Sequence, residues 1–126
     1  MRAIDTNVLL RLIVRDDSRQ LVAAESFVSG GAWVPVLAIS EAMWVLGSAY
    51  RLGANQVADA VEMLLNHKDL VLQDAETVTG ALDLFRAKPA LGFSDCLLME
   101  MARKAGHLPL GTFDRDLSKV AGAHKL

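Results

Sequence analysis

The sequence predicts an α/β fold, a three-layer α/β/α sandwich with a central, mostly parallel sheet. Short apolar runs of strand length alternate along the chain with longer runs whose apolar residues recur at helical spacing. Short apolar strands that alternate with helices are typical of a parallel sheet covered by helices on both faces.

The first half of the chain divides into two strands and four helices. Ser18 is a suitable N-cap for the second helix, and Gly30 and Gly31 end it. Leu52 and Gly53 separate the third helix from the fourth. The predicted elements, in order, are a strand over 2–5, helices over 7–15 and 18–29, a strand over 32–35, and helices over 37–51 and 55–66.

The second half continues the alternation. Pro89 interrupts one helical run, and Gly106 ends the next, as glycine commonly does. The predicted elements are a strand over 70–72, helices over 75–88 and 94–104, a strand over 108–113, and a short turn or helix over 117–120. No repeat or flexible linker divides the 126 residues, so we predict a single domain over 1–126.

The composition is that of a folded protein in a reducing compartment. Hydrophobic residues make up 52% of the chain and the mean hydropathy is +0.29, which excludes disorder. The lone Cys96 excludes an internal disulfide and a thiolate zinc site. An acid at position 5 comes too early for a signal peptide, and no apolar run has membrane-spanning length. We therefore expect a cytoplasmic protein that does not contact a membrane.

The net charge of −2 does not decide whether the partner is a polyanion. A nucleic-acid-binding protein usually carries a basic excess. If a metal neutralised four clustered acids, however, −4 would be removed from −2 and the rest of the chain would carry +2.

Four acids occupy positions that a parallel sheet would bring together. Asp5 ends the first strand and Asp114 ends the run over 108–113, and ligands bind at the carboxyl ends of parallel strands. Asp95 begins a helix, and Glu41 is the only charge from Val36 to Tyr50, in a largely apolar helix that we predict to be buried. Carboxylates at short range repel one another unless a cation lies between them. A hard divalent metal and a metal-dependent hydrolase are therefore predicted.

Each acid also has a purely structural explanation. Asp5 is suited to cap the following helix, and Asp114 opens a turn in which Asp116 is a competing acid. Asp95 would be favoured by the helix dipole, and Glu41 could face solvent on a narrow polar strip. The combination of four acids, rather than any one of them, favours a metal site.

Four sequence strings together resemble the PIN-domain family, and most closely its VapC-type toxins. The strings are Ala3 to Leu9, the Ser40-Glu41 pair, Phe93 to Cys96, and Thr112 to Leu117. The resemblance implies an α/β/α sandwich with a ribonuclease site that depends on Mg²⁺ or Mn²⁺. It implies catalytic acids at Asp5, Glu41, Asp95 and Asp114, polar supports at Asn7 and Thr112, and a further acid at Asp116.

In the predicted reaction, Asp5, Asp95 and Asp114 bind the metal, and Glu41 orients the attacking water or binds the metal through it. Such an attack on an RNA phosphodiester leaves a 5′-phosphate and a 3′-hydroxyl. The resemblance further implies a toxin held inactive by a cognate antitoxin. We expect a homodimer whose antitoxin lies in a groove near Asp5, along the first two helices, with Arg11 and Arg15 at its rim.

Two other functions remain open at this stage. A haloacid-dehalogenase-like phosphatase also begins with a strand that ends in Asp, but it needs a second acid where Asn7 stands. A housekeeping or non-catalytic PIN-domain protein could act as a binding partner. Trp33 and Trp44 are predicted to lie in the core.

Overall fold

The computed structural model describes residues 1–126 and contains six α-helices and five short strands. These elements form two compact units, Met1–Ala75 and Glu76–Leu126. All strand pairs are parallel, so the predicted α/β class is confirmed. No helix has both the length and the apolar character needed to cross a membrane.

The first unit is built on a three-stranded parallel sheet. Its strands pair in the order β1-β2-β3, with Ala3 opposite Trp33 and Trp33 opposite Val71. Each crossover between neighbouring strands contains two helices, as parallel pairing requires a long connection. The elements are β1 (Arg2–Ala3), α1 (Thr6–Val14), α2 (Ser18–Val28), β2 (Ala32–Val34), α3 (Val36–Ser48), α4 (Ala54–Asn66) and β3 (Leu70–Leu72).

The core of the first unit lies where the helices meet one another and the sheet. Helix α1 packs against both α2 and α3, and α4 packs against α3 and β3. The first residue of α3 is bonded to the residue that follows β3. The Gln73 side chain accepts a 2.9 Å hydrogen bond from the Val36 N–H. Large side chains with almost no exposure fill this core: Leu9, Val34, Ile39, Leu46, Val61 and Leu64.

The second unit contains two helices, two paired strands and two 3₁₀ turns. Phe85 and Phe93 contact each other edge to face, with ring centroids 5.9 Å apart. Gly122 adopts φ +96° beside Met99, and an added Cβ would lie 2.8 Å from the Met99 Cε. The elements are α5 (Ala75–Ala87), a 3₁₀ turn (Pro89–Leu91), α6 (Phe93–Ala105), β4 (Leu110–Thr112), a 3₁₀ turn (Leu117–Lys119) and β5 (Ala123–Lys125).

Three details of the predicted elements were wrong. The N-cap of α2 is Asp17 rather than Ser18, since the Asp17 Oδ1 accepts a 3.0 Å hydrogen bond from the Gln20 N–H. Helix α3 ends at Ser48 instead of residue 51, and Arg51 takes a left-handed conformation with φ 55°. Strand β5 was not predicted, because it contains only one apolar residue and is held by backbone pairing with β4.

The predicted positions of the two tryptophans were also wrong. Trp33 is 36% exposed and Trp44 is 70% exposed. The lone cysteine, in contrast, is free and buried, and burial raises the pKa of the Cys96 thiol to about 12. The thiolate, the reactive form, is therefore absent at neutral pH.

Candidate functional site

Asp5 lies between β1 and α1 and caps the helix. Its Oδ1 accepts a 3.1 Å hydrogen bond from the Val8 N–H, so the structural explanation for this acid is correct. A carboxylate has two oxygens, and the cap occupies only one of them. Asp5 is exposed, so its second oxygen remains available for a ligand.

Glu41 lies on an exposed face of α3, so the prediction that it is buried was wrong. The helix buries Ala38, Ile39, Ala42, Met43 and Leu46 on its other side. Leu37 and Trp44, which the prediction placed inside, are 68% and 70% exposed. Burial therefore gives no reason why Glu41 should need a metal. Only the residues near Glu41 support its assignment to a metal site.

Thr6 connects Glu41 to Asp5, a role that no pattern in the sequence indicates. The Thr6 hydroxyl donates a 2.8 Å hydrogen bond to the Glu41 Oε2. Thr6 is the first residue of α1, directly after Asp5, so this bond ties the middle of α3 to the beginning of α1. The two residues are 35 positions apart, and only the packing of α1 against α3 reveals the contact.

A groove in the first unit contains both acids. It has a volume of about 460 Å³, and Asp5, Thr6 and Glu41 are its polar lining residues. The rest of the lining is apolar and comes from residues 3–4 and from the segment that begins α3. The structure thus brings Asp5 and Glu41 to one concave site, where their charges would attract a cation.

Asp95 and Asp114 form a second electrostatic pair, in the second unit. Asp95 is half-buried in the first turn of α6. Burial raises the pKa of the Asp95 carboxyl, and the nearby charge of Asp114 raises it further. A divalent cation between two such carboxylates would remove the repulsion.

Asp114 is held in a rigid turn after β4. Its Oδ1 accepts a 2.8 Å hydrogen bond from the Leu117 N–H, and its own N–H donates a 2.9 Å bond to the Thr112 hydroxyl. Thr112 thus contacts the backbone of Asp114. Asp116 is exposed and makes no side-chain capping bond, so Asp114 takes the capping role in this turn.

Asn7 lines a separate groove between α1 and α2. This groove has a volume of about 370 Å³, and Asp5 and Phe27 also line it. Arg11 lines it too, but its guanidinium donates hydrogen bonds of 2.9 Å to both Asp16 and the Tyr50 hydroxyl. A groove therefore exists where an antitoxin segment was expected, and its occupant stays a prediction.

The donor atoms of both pairs suit a hard cation. Magnesium and manganese prefer carboxylate oxygens, and all four acids offer them. No group of three or more His, Cys, Asp or Glu side chains in the structure is arranged to hold a metal ion. The acids thus form two pairs, one in each unit. That all four acids belong to one metal site stays a prediction.

The family comparison agrees with these observations. A family model described as the PIN domain matches residues 3–123, almost the whole chain. No curated protein and no solved structure shows a significant match. The chain belongs to the PIN domain family, and this family indicates the metal-dependent nuclease superfamily. The predicted sandwich fold is confirmed, and the phosphatase alternative loses its support.

Proposed function

We propose that this protein is a Mg²⁺- or Mn²⁺-dependent endoribonuclease and the toxin component of a type II toxin–antitoxin pair. The observation that carries the proposal is the pairing of acids in this PIN domain. Asp5 and Glu41 share one groove, and Asp95 and Asp114 lie close enough for one to raise the pKa of the other.

In the proposed reaction the carboxylates divide into binding and orienting groups. Asp5, Asp95 and Asp114 would hold the metal, and the capping bonds of Asp5 and Asp114 fix their orientation beforehand. A divalent ion bound there would supply an acidified water and neutralise charge on the phosphodiester.

Glu41 is suited to orient the attacking water. Thr6 occupies one lone pair of its Oε2, which fixes the carboxylate and leaves Oε1 to accept a hydrogen bond from that water. The water would attack phosphorus, and the bond to the 3′ oxygen of the preceding nucleotide would break. The products would therefore carry a 5′-phosphate and a 3′-hydroxyl.

Cleavage of a looped RNA tests the proposal. The purified protein should cleave it in Mg²⁺ or Mn²⁺, EDTA should abolish cleavage, and the 3′ ends should be hydroxyls. Activity that persists in EDTA, or ends with a 2′,3′-cyclic phosphate, would exclude this chemistry.

We further propose that the protein is a cytoplasmic homodimer controlled by an antitoxin. The groove of about 370 Å³ between α1 and α2 supports the antitoxin, because it includes Asp5, one of the predicted metal ligands. A helix laid along α1 and α2 would approach Asp5 and could block it.

A further inference from the structure

The groove that contains Asp5 and Glu41 has a mainly apolar wall whose use is not explained by metal binding. Ile4, Pro35 and Leu37 contribute to this wall. Its volume of about 460 Å³ falls within the roughly 300–1,000 Å³ typical of small-ligand pockets. A metal and its waters would contact the carboxylates, and the apolar wall would remain free for another part of the substrate.

Two large apolar side chains flank Glu41 on the surface of α3. Leu37 lies one turn before Glu41 and is 68% exposed, and Trp44 lies one turn after it and is 70% exposed. Residues three and four apart on a helix are surface neighbours, so the three side chains form one strip. Exposed apolar side chains beside a polar site commonly mark a ligand contact.

The charge of the groove restricts what can lie against the apolar wall. Asp5 and Glu41 would repel a phosphate that was not bridged by a cation, and an apolar wall offers a phosphate no hydrogen bonds. A nucleobase has flat apolar faces, and an indole ring is a common stacking surface for bases. Bases inside a duplex are stacked on each other, so only an unpaired base could enter.

We propose that this groove is a subsite for one unpaired nucleobase of single-stranded RNA. Leu37 would form part of its wall, and Trp44, which does not line the groove but lies one helical turn beyond Glu41, would stack on the base. The proposal rests on the proposed nuclease function and deepens it. The base would anchor the nucleotide next to the cleaved phosphodiester, while Asp5 and Glu41 act on that phosphodiester. Leu37 and Trp44 are then specificity-determining residues.

The test compares an intact RNA oligomer with a series in which one nucleotide at a time lacks its base. With the wild-type protein, removal of one base adjoining the cleaved bond should lower kcat/KM about tenfold. Leu37→Ala and Trp44→Ala should cause a similar loss on intact RNA and little further loss on that abasic oligomer. Trp44→Phe should retain most of the activity. The control is Val22→Ala, since Val22 on α2 is 67% exposed but lies outside the groove.

Two results would overturn the subsite. One is an equal loss in Leu37→Ala on intact and abasic RNA. The other is normal cleavage by both alanine variants combined with loss of dimer or antitoxin binding, which would make this strip a protein interface.

A binding measurement separates this proposal from the proposed function. In Trp33→Phe, Trp44 is the sole tryptophan, and a single-stranded oligomer added with Ca²⁺ should quench its fluorescence. The matching abasic oligomer should quench it far less. Base-dependent quenching in Ca²⁺ combined with no cleavage in Mg²⁺ or Mn²⁺ would refute the nuclease and retain the subsite. Cleavage in Mg²⁺ or Mn²⁺ without base-dependent quenching in Ca²⁺ would refute the subsite alone.

Discussion

At the scale of single residues, Asp5 and Asp114 each form a structural hydrogen bond and are each predicted to bind the metal. In each, Oδ1 accepts a hydrogen bond from the backbone N–H of the residue three positions later. Substitutions can separate these functions, because Asn caps a helix about as well as Asp but lacks its charge.

We expect Asp5→Asn to keep the stability of the protein and to lower cleavage by more than about a hundredfold, beyond the 10–100-fold typical of outer-shell partners of a metal. Asp5→Ala should lower the free energy of unfolding by about 1 kcal/mol as well, because the cap is lost. Asp17→Ala is the matched control, since it removes the equivalent cap of α2. It should destabilise the protein without affecting cleavage. Full cleavage by Asp5→Asn, together with an activity loss in Asp5→Ala no larger than that in the equally destabilised Asp17→Ala, would make Asp5 a cap only.

Asp95 provides a pH-dependent prediction. Because burial and Asp114 raise its pKa in the folded protein, its carboxyl favours the folded state at pH values below its ordinary pKa. That contribution is lost as the pH rises through the pKa that Asp95 has in the folded protein. At neutral pH the ionised carboxylate therefore destabilises the metal-free protein. Asp95→Asn should therefore raise Tm in EDTA at pH 7, with the gain disappearing in acid. The exposed Asp116→Asn serves as control, and a lower Tm for Asp95→Asn at pH 7 would contradict the argument.

At the scale of elements, the sequence predicted where helices lie better than which faces they bury. Helix α3 is apolar on most of its circumference, so periodicity could not show that Leu37, Glu41 and Trp44 face outward. The same limit hid the bond between Thr6 and Glu41, because the packing of α1 against α3 depends on contacts across the fold. Strand β5 was missed because its pairing uses backbone atoms, which leave no apolar pattern.

Loss of the link between α1 and α3 should affect turnover more than binding. Thr6→Val keeps the side-chain shape but removes the 2.8 Å hydrogen bond to Glu41. We expect kcat to fall about tenfold with little change in KM, and the free energy of unfolding to fall by about 1 kcal/mol.

Thr6→Ser should restore kcat, because it restores the donor. Tyr50→Phe is the control, since it removes another hydroxyl bond to α1, at 2.9 Å from Arg11. A kcat loss of the same size in Tyr50→Phe would show that general loosening, rather than Glu41, is responsible.

At the scale of the whole molecule, Asp5, Asp95 and Asp114 were predicted from their positions after strands or at a helix start. Glu41 was predicted because it is the lone charge in an apolar stretch. The family match supports the class of protein, and the structure gives the two pairs that sequence spacing alone could not distinguish. Eleven large apolar side chains are exposed, including Leu98 and Met101 on α6 and Phe113 beside Asp114. Such a surface supports the proposal of partner proteins.

We expect light scattering to show a dimer, and the product of the neighbouring gene to bind and inhibit it. Ala23 lines the groove between α1 and α2, so Ala23→Arg should weaken that binding at least tenfold while RNA cleavage persists. Ser26→Arg, on the same helix but outside the groove, should bind normally. The contrary result is a strict monomer that does not bind the neighbouring gene product and whose expression does not slow growth. That result would favour a housekeeping nuclease.

If the protein is the toxin that we propose, the cap formed by Asp5 also affects how cells would escape its activity. Codons for Asp and Asn differ by one base, and Asn preserves the bond to the Val8 N–H while removing the charge. A single mutation can therefore yield a protein that is inert yet still folds. Under the same proposal, the inert protein would still bind the antitoxin, so in a cell that also carries an intact copy of the gene more of the active toxin would be left unbound.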